Sequence, residues 1–120
     1  MATYSKQFLS GSTQGKSIKV VATASPGTTI HTTGTSATAI DEIHLFAHNS
    51  STSSATLTIQ FGGTSSPDDE IKLTIPAQSG ETYVIPGFIL SGNGTAGLSV
   101  LAYASVANVI TVNGYVNRAS

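Results

Sequence analysis

The chain has 120 residues and a mass of 12.2 kDa, which suits one domain and leaves no room for a second, because compact domains most often have about 100 to 150 residues. Apolar residues make up 39% and charged residues only 9%, while Ser and Thr number 17 each, which excludes intrinsic disorder and predicts a neutral, hydroxyl-rich surface. A net charge of −1 argues against general attraction to nucleic acid or an anionic membrane, and the absence of Cys excludes thiolate chemistry.

The N-terminal segment, residues 1–17, has neither a strand pattern nor the apolar run of a secretory signal peptide. Its apolar side chains are scattered among polar ones, so we predict an extended arm. Residues 1–40 carry a charge of +3 and residues 41–81 a charge of −5, so this basic arm is expected to dock onto a neighbouring subunit; a terminus that is simply disordered is the alternative. The predicted partner contacts are the apolar and basic side chains of the arm, Tyr4, Lys6, Phe8, Leu9 and Lys16.

Residues 18–120 are predicted to form a single all-β domain. Apolar and polar residues alternate most regularly in 55–61 and 70–75, which we expect to pair as a hairpin. Enrichment in β-branched residues predicts further strands at 18–24, 29–33, 40–48, 82–85, 98–104 and 109–116. The short turns between these strands leave no space for crossover helices, so the pattern favours an antiparallel β-sandwich that is jelly-roll-like.

Two segments resemble phosphate-binding loops but lack the required context. Residues 11–17 have one residue too few between the glycines of a Walker loop, and no apolar strand precedes them. Residues 92–97 fit G-x-G-x-x-G, but a strand pattern follows them rather than a helix, and no acidic residue follows Glu81 to hold a ribose. The sequence therefore predicts no nucleotide and no other cofactor.

Candidate metal and catalytic residues concentrate in one predicted strand. His44 and His48 share a face with Phe46 and Glu42, but positions four apart on a strand lie about 13 Å apart, too far to ligate one metal ion. Asp41 and Glu42 are adjacent, so their carboxylates point to opposite faces and cannot act as an acid and base pair. No G-x-S-x-G elbow is present. We predict no metal site, no catalytic residues and no enzyme activity.

Several predicted strands are apolar on both faces, although an antiparallel sheet usually leaves one face in water. In so small a chain the natural cover for the second face is another subunit. We therefore expect a homo-oligomer, with a trimer as the favoured number. The predicted subunit-interface residues are the aromatic and apolar side chains on these second faces, Phe46, Leu101, Tyr103 and Tyr115.

From about residue 40 to residue 116, the chain resembles the small all-β virion proteins of tailed bacteriophages, which include capsid decoration or cement proteins. The resemblance is one of pattern: an Asn-Ser/Thr-rich turn between strands, the run Ile-Lys-Leu-Thr-Ile-Pro at 71–76, the run Ile-Pro-Gly-Phe-Ile-Leu at 85–90, and the closing segment 103–116. It implies a β-sandwich or jelly roll, homo-oligomers that are often trimers, and binding at symmetry axes or subunit junctions of the capsid shell. It implies no catalytic residues.

The resulting expectation is a decoration protein that is made in the host cytoplasm, binds the outer face of the major capsid protein shell and bridges neighbouring subunits. Another virion role, in the tail, the connector or a head fibre, is the nearest alternative. A carbohydrate-binding module that adheres to host-surface glycans is the alternative from another class. Tyrosines clustered on the surface beside acidic groups would favour glycan binding, whereas tyrosines buried between subunits would favour the shell.

Overall fold

The computed structural model describes residues 3–78 and 80–120, and in them the chain forms nine β-strands. Their bounds are β1 Tyr4–Gln7, β2 Ile18–Lys19, β3 Thr28–Thr32, β4 Ile40–Asn49, β5 Ala55–Phe61, β6 Glu70–Ile75, β7 Thr82–Ser91, β8 Ser99–Ala104 and β9 Ile110–Ala119. No helix in the described residues is long and apolar enough to cross a membrane.

The strands form two antiparallel sheets that pack together. The front sheet has the order β1-β9-β4-β7, with β2 also paired to β9, and the back sheet has the order β3-β8-β5-β6. Each strand pair lies within one sheet, and along the chain each pair encloses the previous one: β5 pairs with β6, β4 with β7, β3 with β8, and β1 and β2 with β9. The predicted all-β class and antiparallel β-sandwich are confirmed.

The core lies between the two sheets because apolar residues occupy alternate positions on the facing strands. On β4 in the front sheet, Ile43, Leu45 and Ala47 are fully buried, and the residues between them are half-buried on the outer face. On β8 in the back sheet, Val100 and Ala102 are fully buried in the same way. This alternation gives each sheet one face in the core and one outer face.

The β5–β6 hairpin has the predicted bounds and pairing, with Ala55 opposite Ile75. Strand β7, in contrast, continues beyond the predicted end at 85 as far as Ser91. Its register against β4 shifts twice, and one shift leaves Gly87, with φ +99°, as an extra residue. A bulge on an edge strand accommodates Pro86, which has no N–H to donate to the ladder.

The N-terminal segment differs most from its prediction. Strand β1 pairs with β9, and the Leu9 side chain is 1% exposed within this chain's own core. An extended arm is therefore not confirmed, and the prediction that Leu9 contacts a partner is wrong, because its apolar side chain is already buried here. Tyr4 and Phe8 are 77% and 68% exposed. The predicted strand 18–24 is reduced to Ile18–Lys19, which pairs with β9.

Candidate functional site

Two adjacent carboxylates on β4 organise the polar groups on the two sides of the front sheet. Asp41 is 2% exposed and points into the sandwich, whereas the neighbouring Glu42 is half-buried on the outer face. The prediction that the two carboxylates point to opposite faces is confirmed. Each carboxylate has its own histidine partner, so the two sides are described separately.

On the inner side, Asp41, His31 and Arg118 form a cluster that links the two sheets. The Arg118 guanidinium donates two hydrogen bonds to Asp41, from Nε to Oδ1 at 2.7 Å and from Nη2 to Oδ2 at 3.0 Å. His31 Nε2 lies 2.8 Å from Asp41 Oδ2, and the His31 side chain is 1% exposed. The backbone N–H of Ser10 donates to His31 Nδ1 at 3.0 Å, so Nε2 carries the ring proton and donates it to the carboxylate.

The environment of Asp41 keeps its carboxylate charged. Burial raises the pKa of Asp41, but the hydrogen bonds and positive charge of Arg118, together with the hydrogen bond from His31, outweigh burial and lower this pKa below its ordinary value. The same pairing raises the pKa of Arg118. Since Asp41 and His31 are buried and their hydrogen-bonding groups are already paired, this inner cluster is suited to holding the sheets together rather than to binding a ligand.

On the outer side, four rings form an aromatic ladder, which we define as Tyr115, His44, Tyr83 and Phe46. His44 stacks on Tyr115 with ring centroids 4.7 Å apart and an interplanar angle of 14°. Phe46 stacks on Tyr83 at 4.5 Å and 9°, and His44 lies parallel to Tyr83 at 6.2 Å. The side chains meet because His44 lies directly opposite Tyr115, and Phe46 directly opposite Tyr83, in the strand register.

Hydrogen bonds hold the centre of the ladder in place. His44 Nε2 lies 2.8 Å from Glu42 Oε1, and His44 Nδ1 lies 2.6 Å from the Tyr83 hydroxyl. The Asn117 side-chain amide also donates to Glu42 Oε1, at 3.0 Å. The hydrogen bonds from His44 and Asn117 lower the pKa of Glu42. The ladder therefore clusters Tyr83 and Tyr115 on the outer surface beside the carboxylate of Glu42, the arrangement expected to favour glycan binding.

A groove opens where the ladder reaches the edge formed by β1. It has a volume of about 560 Å³ and is lined by seven residues: Lys6, Gln7, Phe8, Gln14, Gly15, Gly114 and Tyr115. Lys6 Nζ lies 5.0 Å from the centre of the Tyr115 ring, a cation–π contact. A Cβ at Gly114 would collide with the backbone carbonyl of His44, so only glycine lets β9 approach β4 this closely.

The predicted subunit-interface residues lie on two opposite surfaces. Phe46 and Tyr115 belong to the ladder on the outer face of the front sheet. Leu101 and Tyr103 alternate with buried residues on β8, so they lie on the outer face of the back sheet, where the Tyr103 hydroxyl donates to Glu70 at 2.9 Å. The structure thus brings the four residues together only in pairs, and their contact with another subunit stays a prediction.

The histidines predicted to share a face are engaged separately. His44 contacts Glu42 and Tyr83, as above, whereas His48 Nδ1 lies 3.3 Å from the carbonyl oxygen of Gly80. Within residues 3–78 and 80–120, no three His, Asp or Glu side chains are grouped closely enough to hold a metal ion.

The inner cluster was missed by the sequence analysis. Asp41 and Arg118 are 77 positions apart, and no local motif connects them to His31. One signal was present but was not used: Asp41 lies on the same face of its strand as Ile43 and Leu45, and a charge at a core-facing position needs a partner.

Comparisons with protein-family models, with curated proteins and with solved structures found no match to this chain.

Proposed function

We propose that the protein is a non-enzymatic structural subunit of a tailed bacteriophage particle. It decorates the outer face of the capsid shell and bridges neighbouring major capsid subunits. The proposal is supported by the sequence resemblance to virion proteins, by the β-sandwich and by an exposed apolar edge. The apolar edge carries the argument, because it indicates where a partner binds.

The connectivity of the sandwich fits this class of protein. The nested pairs, from β5–β6 at the centre to β1–β9 at the outside, are the pattern obtained when one long hairpin folds over into two sheets. We infer from this pattern that the sandwich has jelly-roll topology, an architecture used by many capsid proteins. Fold alone assigns no function, so the attachment site must be argued from its side chains.

The apolar edge is formed by the second half of β7. In the described part of the chain, β7 pairs only with β4, so its other edge has unpaired backbone groups. Beside this open edge, Phe88 and Ile89 are 47% and 59% exposed, and Phe88 makes an edge-to-face contact with Phe61 at 6.1 Å. Since each side chain is already about half buried, covering the rest in a partner would stabilise binding by about 1 kcal/mol each.

Attachment through a small edge becomes strong when several copies act together. We propose that the protein is a homo-oligomer, with a trimer as the favoured number, so that one assembly engages several capsid subunits at once. The second contact then forms at a high effective concentration, which raises the overall affinity without any new contact. Such bridging would stabilise the shell against the pressure of packaged DNA.

Binding to empty shells tests this function. Shells assembled from the major capsid protein of the same genome are mixed with the protein at micromolar concentration and sedimented. We expect the wild-type protein to sediment with the shells, and the double variant Phe88→Ser/Ile89→Ser to lose most of this binding. The matched control is Val21→Ser/Val106→Ser, which removes two apolar side chains of similar exposure, 55% and 49%, away from β7.

The outcomes separate the parts of the proposal. Failure of the wild-type protein to bind shells would contradict the decoration function. Equal loss of binding in both double variants would contradict the assignment of β7 as the attachment edge. Light scattering coupled to size-exclusion chromatography measures the oligomer, and a monomer at micromolar concentration would contradict bridging by a preformed assembly.

A further inference from the structure

The groove at the β1 edge has features that neither the core nor shell attachment explains. It lies across the front sheet from β7, because β1 and β7 are the two ends of the order β1-β9-β4-β7. Phe8 is 68% exposed although its neighbour Leu9 is buried, and its ring lies against Gly15. Because this exposed ring lines the groove, it offers an apolar surface to a ligand there.

Tyr115 gives the groove a second and more rigid wall. Strand β9 lies between β1 and β4, so Lys6 and His44 approach the Tyr115 ring from opposite sides. The stacked His44 is itself held by Glu42 and Tyr83, which fixes the orientation of Tyr115 before any ligand binds. A preformed wall lowers the ordering cost of binding.

The polar groups of the groove define the chemistry of the ligand. The side-chain amide of Gln14 can donate and accept hydrogen bonds, as neighbouring hydroxyl groups require. The Gln7 amide instead donates to Ser5 Oγ at 2.8 Å, on the face of β1 opposite Lys6. Lys6 supplies the one positive charge among the lining residues and forms no salt bridge with any described residue. The volume of about 560 Å³ falls within the range of roughly 300 to 1,000 Å³ that is typical of small-molecule sites.

We propose that this groove binds a sugar ring bearing a carboxylate, such as a uronic acid residue of an acidic polysaccharide. The apolar face of the pyranose lies against Phe8, the side-chain amide of Gln14 bonds to its hydroxyls, and Lys6 pairs with the carboxylate. This binding function is independent of shell attachment. If the protein attaches to the shell through β7, its β1 edge lies at the opposite end of the sheet and can meet acidic glycans at the host surface.

An acidic sugar is favoured over other ligands because the groove lining combines one positive charge, an aromatic ring and an amide. A simple anion would use Lys6 but neither the Phe8 ring nor the Gln14 amide, and a purely apolar ligand would leave this amide and the ammonium without partners. A polyphosphate would need several cations, whereas the lining contains one.

Titration of the isolated full-length protein tests the site. Amide and side-chain NMR shifts are followed with methyl β-D-glucuronide, with methyl β-D-glucoside as the neutral counterpart, and with acetate and inorganic phosphate as simple anions. We expect the glucuronide to shift the signals of Lys6, Phe8, Gln14 and Tyr115. Because Lys6 is exposed, we expect about fivefold tighter binding of the glucuronide than of the glucoside.

Variants assign the two parts of the interaction. Lys6→Gln should bring the affinity for glucuronide down to that for glucoside, and Phe8→Ala should weaken both sugars at least about fivefold. The matched controls are Lys16→Gln, an exposed lysine of the same segment outside the groove lining, and Phe88→Ala, an exposed phenylalanine on β7. Both controls should bind glucuronide as the wild type does.

Three results would overturn the proposal. The first is no saturable shift at the groove residues with either sugar. The second is saturation of the same residues by acetate or phosphate at similar concentrations, which would define an anion site without sugar recognition. The third is equal weakening by Lys16→Gln and Lys6→Gln, which would indicate general electrostatics. The titration contains no shells, so its failure leaves the decoration function untouched, and failure of shell binding leaves this site untouched.

Discussion

The neighbouring carboxylates Asp41 and Glu42 on β4 each pair with a histidine, one in the core and the other on the outer face of the sheet. Asp41 and His31 are 2% and 1% exposed, and a bidentate arginine completes their hydrogen bonding. Glu42 and His44 form an equally short contact of 2.8 Å on the outer face, where the Glu42 side chain is 44% exposed. Distance alone therefore does not distinguish the two pairs.

Burial distinguishes them. A charged group taken out of water depends on its partners, so removing one partner of a buried pair is strongly destabilising. An exposed pair competes with water and contributes little to stability, which leaves its groups available to a ligand. The inner side of the front sheet thus stabilises the fold, while the polar groups on its outer side can contact a ligand.

The largest expected effect comes from the inner pair. Asp41→Ala leaves His31 without an acceptor and Arg118 without a carboxylate, so we expect the free energy of unfolding to fall by about 3 to 5 kcal/mol. Urea denaturation measures the change. Asp41→Asn, which keeps the size of the side chain, should lose less. A loss below about 1 kcal/mol for Asp41→Ala would contradict the claim that the buried pair stabilises the fold more than the exposed pair does.

The next largest effect concerns two neighbours in the N-terminal segment. Leu9→Ala removes a side chain that is 1% exposed, so we expect a loss of about 2 to 5 kcal/mol. Phe8→Ala removes one that is 68% exposed and should change stability by no more than about 0.5 kcal/mol. Thermal or urea unfolding of both variants measures the contrast. Unchanged stability of Leu9→Ala would restore the predicted arm and remove Leu9 from the core.

Acid should lower the stability of the protein because it protonates the carboxylate of Asp41. The pKa of Asp41 is lower in the folded protein than its ordinary value of 3.8, so the unfolded chain binds more protons between these two values. The stability that this group contributes is present above about pH 4 and is lost as the pH falls through the folded pKa. Unfolding measured from pH 6 to pH 2 should show this loss, and Asp41→Asn should reduce its slope. An unchanged slope in that variant would contradict the lowered pKa.

The smallest expected effect comes from the outer pair. Glu42→Gln keeps the size of the side chain and its acceptor oxygen but removes the charge, so we expect only a small change in stability because the group is exposed. The His44 ring should stay stacked on Tyr115, which the dispersion of their NMR ring signals would report. A loss as large as that of Asp41→Asn would show that exposure does not set the difference.

The fold was predictable wherever alternation was local and complete. Strands β5 and β6 have the predicted bounds because each places apolar residues at every second position and the loop 62–69 between them is rich in turn-forming residues. Strand β1 was missed because Tyr4–Gln7 lies at a sheet edge, where only backbone pairing with β9 holds it and no apolar alternation is needed. The end of β7 was missed because Pro86 signals a strand end, and a bulge permits the strand to continue.

The candidate site was predictable only in its parts. Strand periodicity placed Glu42, His44 and Phe46 on one face, and the structure agrees. Their contacts with Tyr83 and Tyr115 depend on the register between strands distant in sequence, which periodicity does not specify. The groove depends in addition on β1 and on the turn that carries Gln14, which has a positive φ of 55°, and neither had a strand signal.

The nested pairing of the strands also sets the order in which the chain can fold. Loop closure costs least for β5 and β6, because among the described pairs they alone join consecutive strands, through the loop 62–69. Each outer pair then closes a smaller effective loop once the inner pair has formed. Folding should therefore proceed outward from the hairpin through β4–β7 and β3–β8, at the millisecond-to-second rates of chains dominated by non-local contacts. Strand β1 joins last, when its partner β9 is in place, and the groove at the β1 edge exists only after this final step.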